Sequence, residues 1–146
     1  MTAASWAYFD TSVLLKGYVP EPGKQQADSL ARRHAVASSA ITSLELTSAL
    51  TRRRLGGELT EAEFRAGLRW AREDRDHWHL VDVTAGVLAR AETIVHRTAL
   101  KTLDAIHVAS CLLFAETIEQ RVPFVTADAQ QRSAAERLAL PVVWVA

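Results

Sequence analysis

Trp6-Ala-Tyr-Phe9, running into Asp10-Thr11-Ser12, is the stretch on which the reading of this chain turns. A short apolar and aromatic run that ends on polar, turn-forming residues reads as a strand feeding a turn. A short helical segment follows around 13–18, and Pro20-Glu-Pro-Gly23 breaks it. Outward from there the pattern repeats. Helices are expected over 24–34, 41–55, 60–78, 84–97, 102–119 and 129–138. Short strands are expected over 35–38, 79–83, 123–126 and 142–145. Two signals mark boundaries sharply: Gly56-Gly57 ends one helix, and Thr60 with Glu63 forms a capping-box pattern at the start of the next. Strands alternating with helices predict an α/β fold of three layers. Its central sheet should be small and mainly parallel, with about five strands flanked by helices.

The composition agrees with such a core. The chain has 146 residues, the size of one domain, and 49% of them are hydrophobic. We read residues 1–146 as a single domain. Basic and acidic residues number 17 each, so a nucleic-acid partner would have to meet a local basic patch. The single cysteine, Cys111, excludes an intrachain disulfide and a cysteine-rich zinc site. The longest apolar run, 138–146, is too short to span a bilayer and contains Pro141. The N-terminal stretch lacks an early basic cluster, and Asp10 interrupts any apolar signal core. A soluble, cytoplasmic protein without a membrane partner is expected.

Four carboxylates occupy informative places. Asp10 ends the first strand and Asp128 follows the Phe124-Val-Thr126 strand. Glu45 and Asp104 lie in the first turns of their helices. Open α/β sheets bind ligands in the crevice at the carboxyl ends of their strands, where such positions can meet. Carboxylates gathered together repel one another, and a divalent cation relieves the repulsion. Mg²⁺ or Mn²⁺ favours oxygen ligands, activates water and neutralises a phosphate. Each residue also has a local explanation. Asp10 and Asp128 can cap the helices after them, Thr42 with Glu45 matches a capping box, and Asp104 suits a helix N-terminus.

The segments Tyr8-Phe-Asp10-Thr-Ser-Val-Leu-Leu-Lys16, Thr42-Ser-Leu-Glu45-Leu, Leu103-Asp104-Ala-Ile-His107-Val-Ala109 and Val125-Thr126-Ala-Asp128 resemble the PIN domain in order and spacing. The length is similar to that of the VapC toxins of bacterial toxin–antitoxin pairs. The resemblance implies a Mg²⁺- or Mn²⁺-dependent endoribonuclease, usually a homodimer, inhibited by a small cognate antitoxin. Asp10, Glu45, Asp104 and Asp128 match the family's acidic quartet. Asp10 and Asp104 would be the main metal ligands, and Glu45 and Asp128 would act directly or through water. Thr11 or Ser12 matches its small hydroxyl after the first Asp, and Thr126 the hydroxyl before the last. Many relatives carry a further acidic residue after that Asp, where Gln130 and Gln131 stand here. Two alternatives remain: a catalytically silent binding module of the same fold, and a phosphatase-type enzyme with a nucleophilic first Asp. The second usually needs an Asp two residues later, and Ser12 stands there.

Other residues have simpler readings. His107 shares a helix face with Asp104 and reads as a packing histidine. His77 and His79 lack a metal-site context, and Cys111 reads as a buried, inert thiol. Arg65, Arg69 and Arg72 form a stripe that Glu61 and Asp76 can pair at its ends, favouring a solvated face over an RNA or partner surface. Arg52-Arg53-Arg54 lies at a helix C-terminus, where the dipole favours cations. RNA contact by that run is possible but is not needed to explain it. Lys16 and Lys101 lie near the carboxylate segments in sequence and are weaker candidates for phosphate contact.

Overall fold

A computed structural model describes residues 4–146. The elements run β1 (Trp6–Phe9), α1 (Thr11–Lys16), α2 (Lys24–Arg33), β2 (Ala35–Ser39), α3 (Thr42–Leu55) and α4 (Glu61–Arg75). They continue with β3 (His79–Val81), α5 (Ala85–Thr98), α6 (Thr102–Ile118), β4 (Phe124–Thr126), α7 (Ala129–Arg137) and β5 (Val142–Trp144). The five strands pair in the order β3-β2-β1-β4-β5, all parallel. This is the α/β architecture that the alternating pattern predicts.

Parallel strands are covered on both faces, and β1 shows how one strand serves two layers. Ala7 and Phe9 join a core with Val13, Leu14, Leu30, Leu46, Leu50 and Phe64, from the side of α1 to α4. Tyr8, on the opposite face, packs with Val87, Ile94, Val108, Phe114 and Ala135, from the side of α5 to α7. The chain changes face after β3, and β4 enters on the far side of β1. The strand order therefore reverses at β1, and the crevice beyond the carboxyl ends of β1 and β4 lies at that reversal. Among the described residues, no single helix is long and apolar enough to cross a membrane.

Several boundaries differ from the sequence reading, most of them by one residue. Helix α4 ends at Arg75 instead of continuing to Trp78. Two turn hydrogen bonds, from the N–H groups of His77 and Trp78 to Asp74 and Arg75, replace its last turn. Strand β3 stops at Val81, because the Thr84 side chain caps α5 by accepting from the Val87 N–H. Helix α1 starts at Thr11, directly after Asp10. The expected capping box at Thr60 and Glu63 forms in full. The one considered at Thr42 and Glu45 does not, since Thr42 lies inside α3 and Ile41 takes the cap position.

Thr42 is instead a buried tie between α3 and the sheet. Ser38 donates to the Phe9 carbonyl at 2.7 Å and shares a 2.7 Å hydrogen bond with the Thr42 hydroxyl, which also accepts from the Ser39 N–H at 3.2 Å. These bonds register the start of α3 against the ends of β1 and β2. Thr42→Val keeps the shape but leaves Ser38 and the Ser39 N–H short of a partner. Urea unfolding should show a loss of about 1–3 kcal/mol, the cost of unsatisfied buried polar groups, with an unchanged slope.

Candidate active site

One cleft of about 390 Å³ is lined by Asp10, Thr11, Ser12, Glu45, Asp104, Asp128 and Gln131, with Leu44, Leu103 and Arg52 among the residues around them. All four carboxylates singled out in the sequence line it. They arrive from four separate segments: the end of β1, the first turns of α3 and α6, and the turn after β4. Asp10 sits deepest, at 2% exposure.

Hydrogen bonds hold each carboxylate by one oxygen. Asp10 Oδ2 accepts from the Ser12 hydroxyl, and from Thr126 Oγ1 at 2.9 Å. Ser12 in turn accepts from the Ala127 N–H at 3.0 Å, and Thr126 from the Asp128 N–H at 3.0 Å, so β1 and the β4–α7 turn are cross-linked. Glu45 Oε1 accepts from Thr11 Oγ1 at 2.7 Å and from His107 Nε2 at 2.6 Å. Asp104 Oδ1 accepts from Gln131 Nε2 at 2.7 Å, and Asp128 Oδ1 from the Gln131 N–H at 2.9 Å. The second oxygens, Oδ1 of Asp10, Oε2 of Glu45, Oδ2 of Asp104 and Oδ2 of Asp128, accept no hydrogen bond among the described residues.

Asp128 thus caps α7, as its local explanation has it, while lining the cleft. Asp10 occupies the cap position of α1, yet its side chain makes no capping bond and is given to Ser12 and Thr126.

The chemistry of these donors fits a hard divalent cation. All four are carboxylates, each with an oxygen that accepts no hydrogen bond among the described residues, and Mg²⁺ asks for only one or two carboxylates besides its waters. No three histidine, cysteine or acidic groups among the described residues stand as a closed metal cage. The donor set therefore suits an ion held partly through water.

The charges are distributed unevenly. Burial raises the pKa of Asp104, and repulsion from Asp128 and Asp10 adds to that, against the opposing Gln131 hydrogen bond. Burial acts on Glu45 in the same upward sense, but the hydrogen bond and charge of His107, with the Thr11 hydroxyl, outweigh it and lower the pKa. For His107 burial disfavours the cation, yet the Glu45 hydrogen bond and the fields of Asp10, Glu45 and Asp104 prevail and raise its pKa.

Two residues read more plainly in the sequence take part in this network. His107 is fully buried in α6 and does pack. Its Nε2 also holds Glu45, and its Nδ1 meets the Tyr8 hydroxyl at 2.9 Å, joining α3, α6 and β1. Its position one turn after Asp104 is the signal that marks it. Gln131, met in the sequence as a missing acid, bridges Asp104 and Asp128 through two hydrogen bonds, donated by its Nε2 and its backbone N–H. The remaining candidates lie elsewhere. Cys111 is buried, with its thiol pKa pushed up by burial. His79 stacks on Phe114. Arg65 pairs with Glu61 at 3.1 Å, but Asp76 forms no ion pair with Arg72, so only one end of the arginine stripe is paired among the described residues. Asp76 caps α4 instead. Lys16 pairs with Glu21 and the Pro22 carbonyl.

The fold agrees with what known proteins show. The PIN domain family profile matches residues 7–137, and the chain belongs to that family. Three solved structures share its fold. A toxin–antitoxin complex from Klebsiella pneumoniae matches with a TM-score of 0.65 at 17% identity, over 94% of this chain and 95% of that one. VapBC2 from Rickettsia felis, bound to a DNA fragment from its promoter, matches with a TM-score of 0.63 at 14% identity, over 97% and 99%. FitAcB from Neisseria gonorrhoeae matches with a TM-score of 0.66 at 18% identity, over 93% and 95%. No curated protein matches the chain in sequence.

The Glu45–His107 pair makes stability depend on pH in a definite sense. The His107 pKa is raised above its ordinary 6.5, so its contribution is complete below pH 6.5 and is lost as pH rises through the folded value. The Glu45 pKa is lowered below 4.5, so its contribution is present above pH 4.5 and is lost as pH falls through the folded value. Ionising Asp104, whose pKa is raised above 3.8, costs stability as pH rises. Metal-free protein should therefore melt at a higher temperature near pH 6 than near pH 9. His107→Asn should shrink that difference, as read by thermal melting in EDTA at the two pH values.

Proposed function

We propose that the protein is a metal-dependent endoribonuclease and the toxin of a VapBC-type toxin–antitoxin pair. The observation that carries the reading is the set of four carboxylates in one cleft, each anchored by one oxygen while the other accepts no hydrogen bond among the described residues. Asp10 and Asp104 would be the principal ligands of Mg²⁺ or Mn²⁺, and Glu45 and Asp128 would complete the site directly or through water. Such an ion, when bound, supplies the positive charge that admits a phosphodiester to an acidic cleft and makes water nucleophilic near neutral pH.

The chain's own residues prepare the site for this. Ser12 and Thr126 fix Asp10 through Oδ2. Thr11 and His107 fix Glu45 through Oε1, leaving Oε2 available to orient water. Gln131 holds Asp104 and Asp128 without adding a fifth negative charge.

Asp10→Asn and Asp104→Asn should each abolish cleavage of labelled RNA while keeping a melting transition. Asp104→Asn forfeits only about 0.3–1 kcal/mol of helix-dipole interaction. It also removes a charge that burial and its acidic neighbours disfavour, so the metal-free melting temperature should hold or rise. Mg²⁺ or Mn²⁺ should be required, and EDTA should stop the reaction. A folded Asp10→Asn protein that cleaves at the wild-type rate would refute the mechanism.

The antitoxin half of the reading is supported by the likeness to solved toxin–antitoxin complexes. The toxin acts in the cytoplasm, as a homodimer. A small antitoxin restrains it, laying an apolar helix in a groove and presenting a cation to the acidic cleft. Co-expression with the neighbouring small gene should give a stable complex. Recovery of uncomplexed protein only, together with unimpaired growth of the host, would count against the toxin assignment.

A further inference from the structure

The three consecutive arginines at the end of α3 have different surroundings. Arg53 pairs with Glu21 at 2.5 Å. Arg54 pairs with Glu61 at 3.3 Å and lies over the Phe64 ring, 4.3 Å from its centroid. Arg52 is exposed, and its guanidinium makes no ion pair or hydrogen bond among the described residues. It is also the one basic side chain among the residues lining the acidic cleft. The helix dipole favours cations at all three positions, so it does not account for this difference.

Arg52 stands seven residues after Glu45 on the same helix, about 10 Å along the axis at ~1.5 Å per residue. Ser48 and Ala49 line the wall between them. A strand of RNA whose scissile phosphate lies over the carboxylates carries further phosphates along that wall. The four acidic groups repel those phosphates, and an ion among the carboxylates offsets the repulsion only locally. A free guanidinium at the end of the wall has the planar donor fork that grips a phosphate.

We propose that Arg52 is a substrate-positioning residue, which binds a phosphate neighbouring the scissile one and draws the single-stranded substrate along α3. The proposal rests on the ribonuclease reading. Its contribution is made equally to bound substrate and transition state, so it acts on KM more than on kcat.

The test compares wild type, Arg52→Gln, Arg52→Lys and, as a control at the opposite edge of the sheet, Arg33→Gln. Steady-state cleavage of a fluorescein-labelled single-stranded oligoribonucleotide in Mg²⁺ gives KM and kcat. Fluorescence anisotropy in the non-cleaving Asp10→Asn background gives affinity against salt. Arg52→Gln should raise KM about tenfold, the scale of one lost charge-assisted hydrogen bond, with kcat within about twofold of wild type. Its salt slope should fall by about 0.7, one phosphate contact on a single strand. Arg52→Lys should recover most of the slope, and Arg33→Gln should match wild type. An Arg52→Gln enzyme with wild-type KM and slope overturns the Arg52 assignment and leaves the ribonuclease reading standing. Wild-type protein that neither binds nor cleaves RNA overturns both.

Discussion

Like-charge repulsion is the constraint to which the rest of the cleft answers. Asp10, Glu45, Asp104 and Asp128 meet at one edge of the sheet, and Asp10 is almost wholly buried. Carboxylates so placed are tolerated because each has a dedicated donor: hydroxyls for Asp10, a hydroxyl and an imidazole for Glu45, an amide for Asp104 and a backbone N–H for Asp128. The donors are themselves held in place. Thr126 accepts from the Asp128 N–H, and Ser12 from that of Ala127. The polar network is therefore continuous from β1 to α7, which is how a buried polar site avoids unpaired groups.

The sheet makes the meeting possible. Because β1 is central and the strand order reverses beside it, the segments after β1 and β4 are neighbours at the same edge. Tyr8 then links the fold to the chemistry. Its ring stacks on Phe124 in the core while its hydroxyl reaches His107. His107 passes the constraint on to Glu45. A core residue, a helix residue and a cleft residue thus form one connected path across three elements.

Much of this was legible in the sequence, and for identifiable reasons. The strand-and-turn pattern around Phe9 and Asp10, the capping box at Thr60 and the double glycine after Leu55 are local signals, and the elements they mark are present. The four carboxylates were legible because their positions at strand ends and helix starts are local as well. What stayed hidden depends on contacts between distant segments. Nothing within α6 alone says that His107 meets Glu45, 62 residues away. The Thr42-x-x-Glu45 pattern misled for the same reason: both side chains are claimed by partners from outside their helix, Ser38 for one and His107 for the other. Gln131 looked like a loss when read only as an absent acid, and the two carboxylates it holds give it a different role.

The pairing of β1 with β4 has a consequence for synthesis. Asp10 leaves the ribosome well before its Thr126 partner, which lies 116 residues further along the chain. The strand that brings Thr126 must insert beside one already made, and such long-range parallel pairings form late. A nascent chain therefore carries no complete acidic site until the turn after β4 has emerged. The cleft is assembled only once that later strand has found its place beside the earlier one.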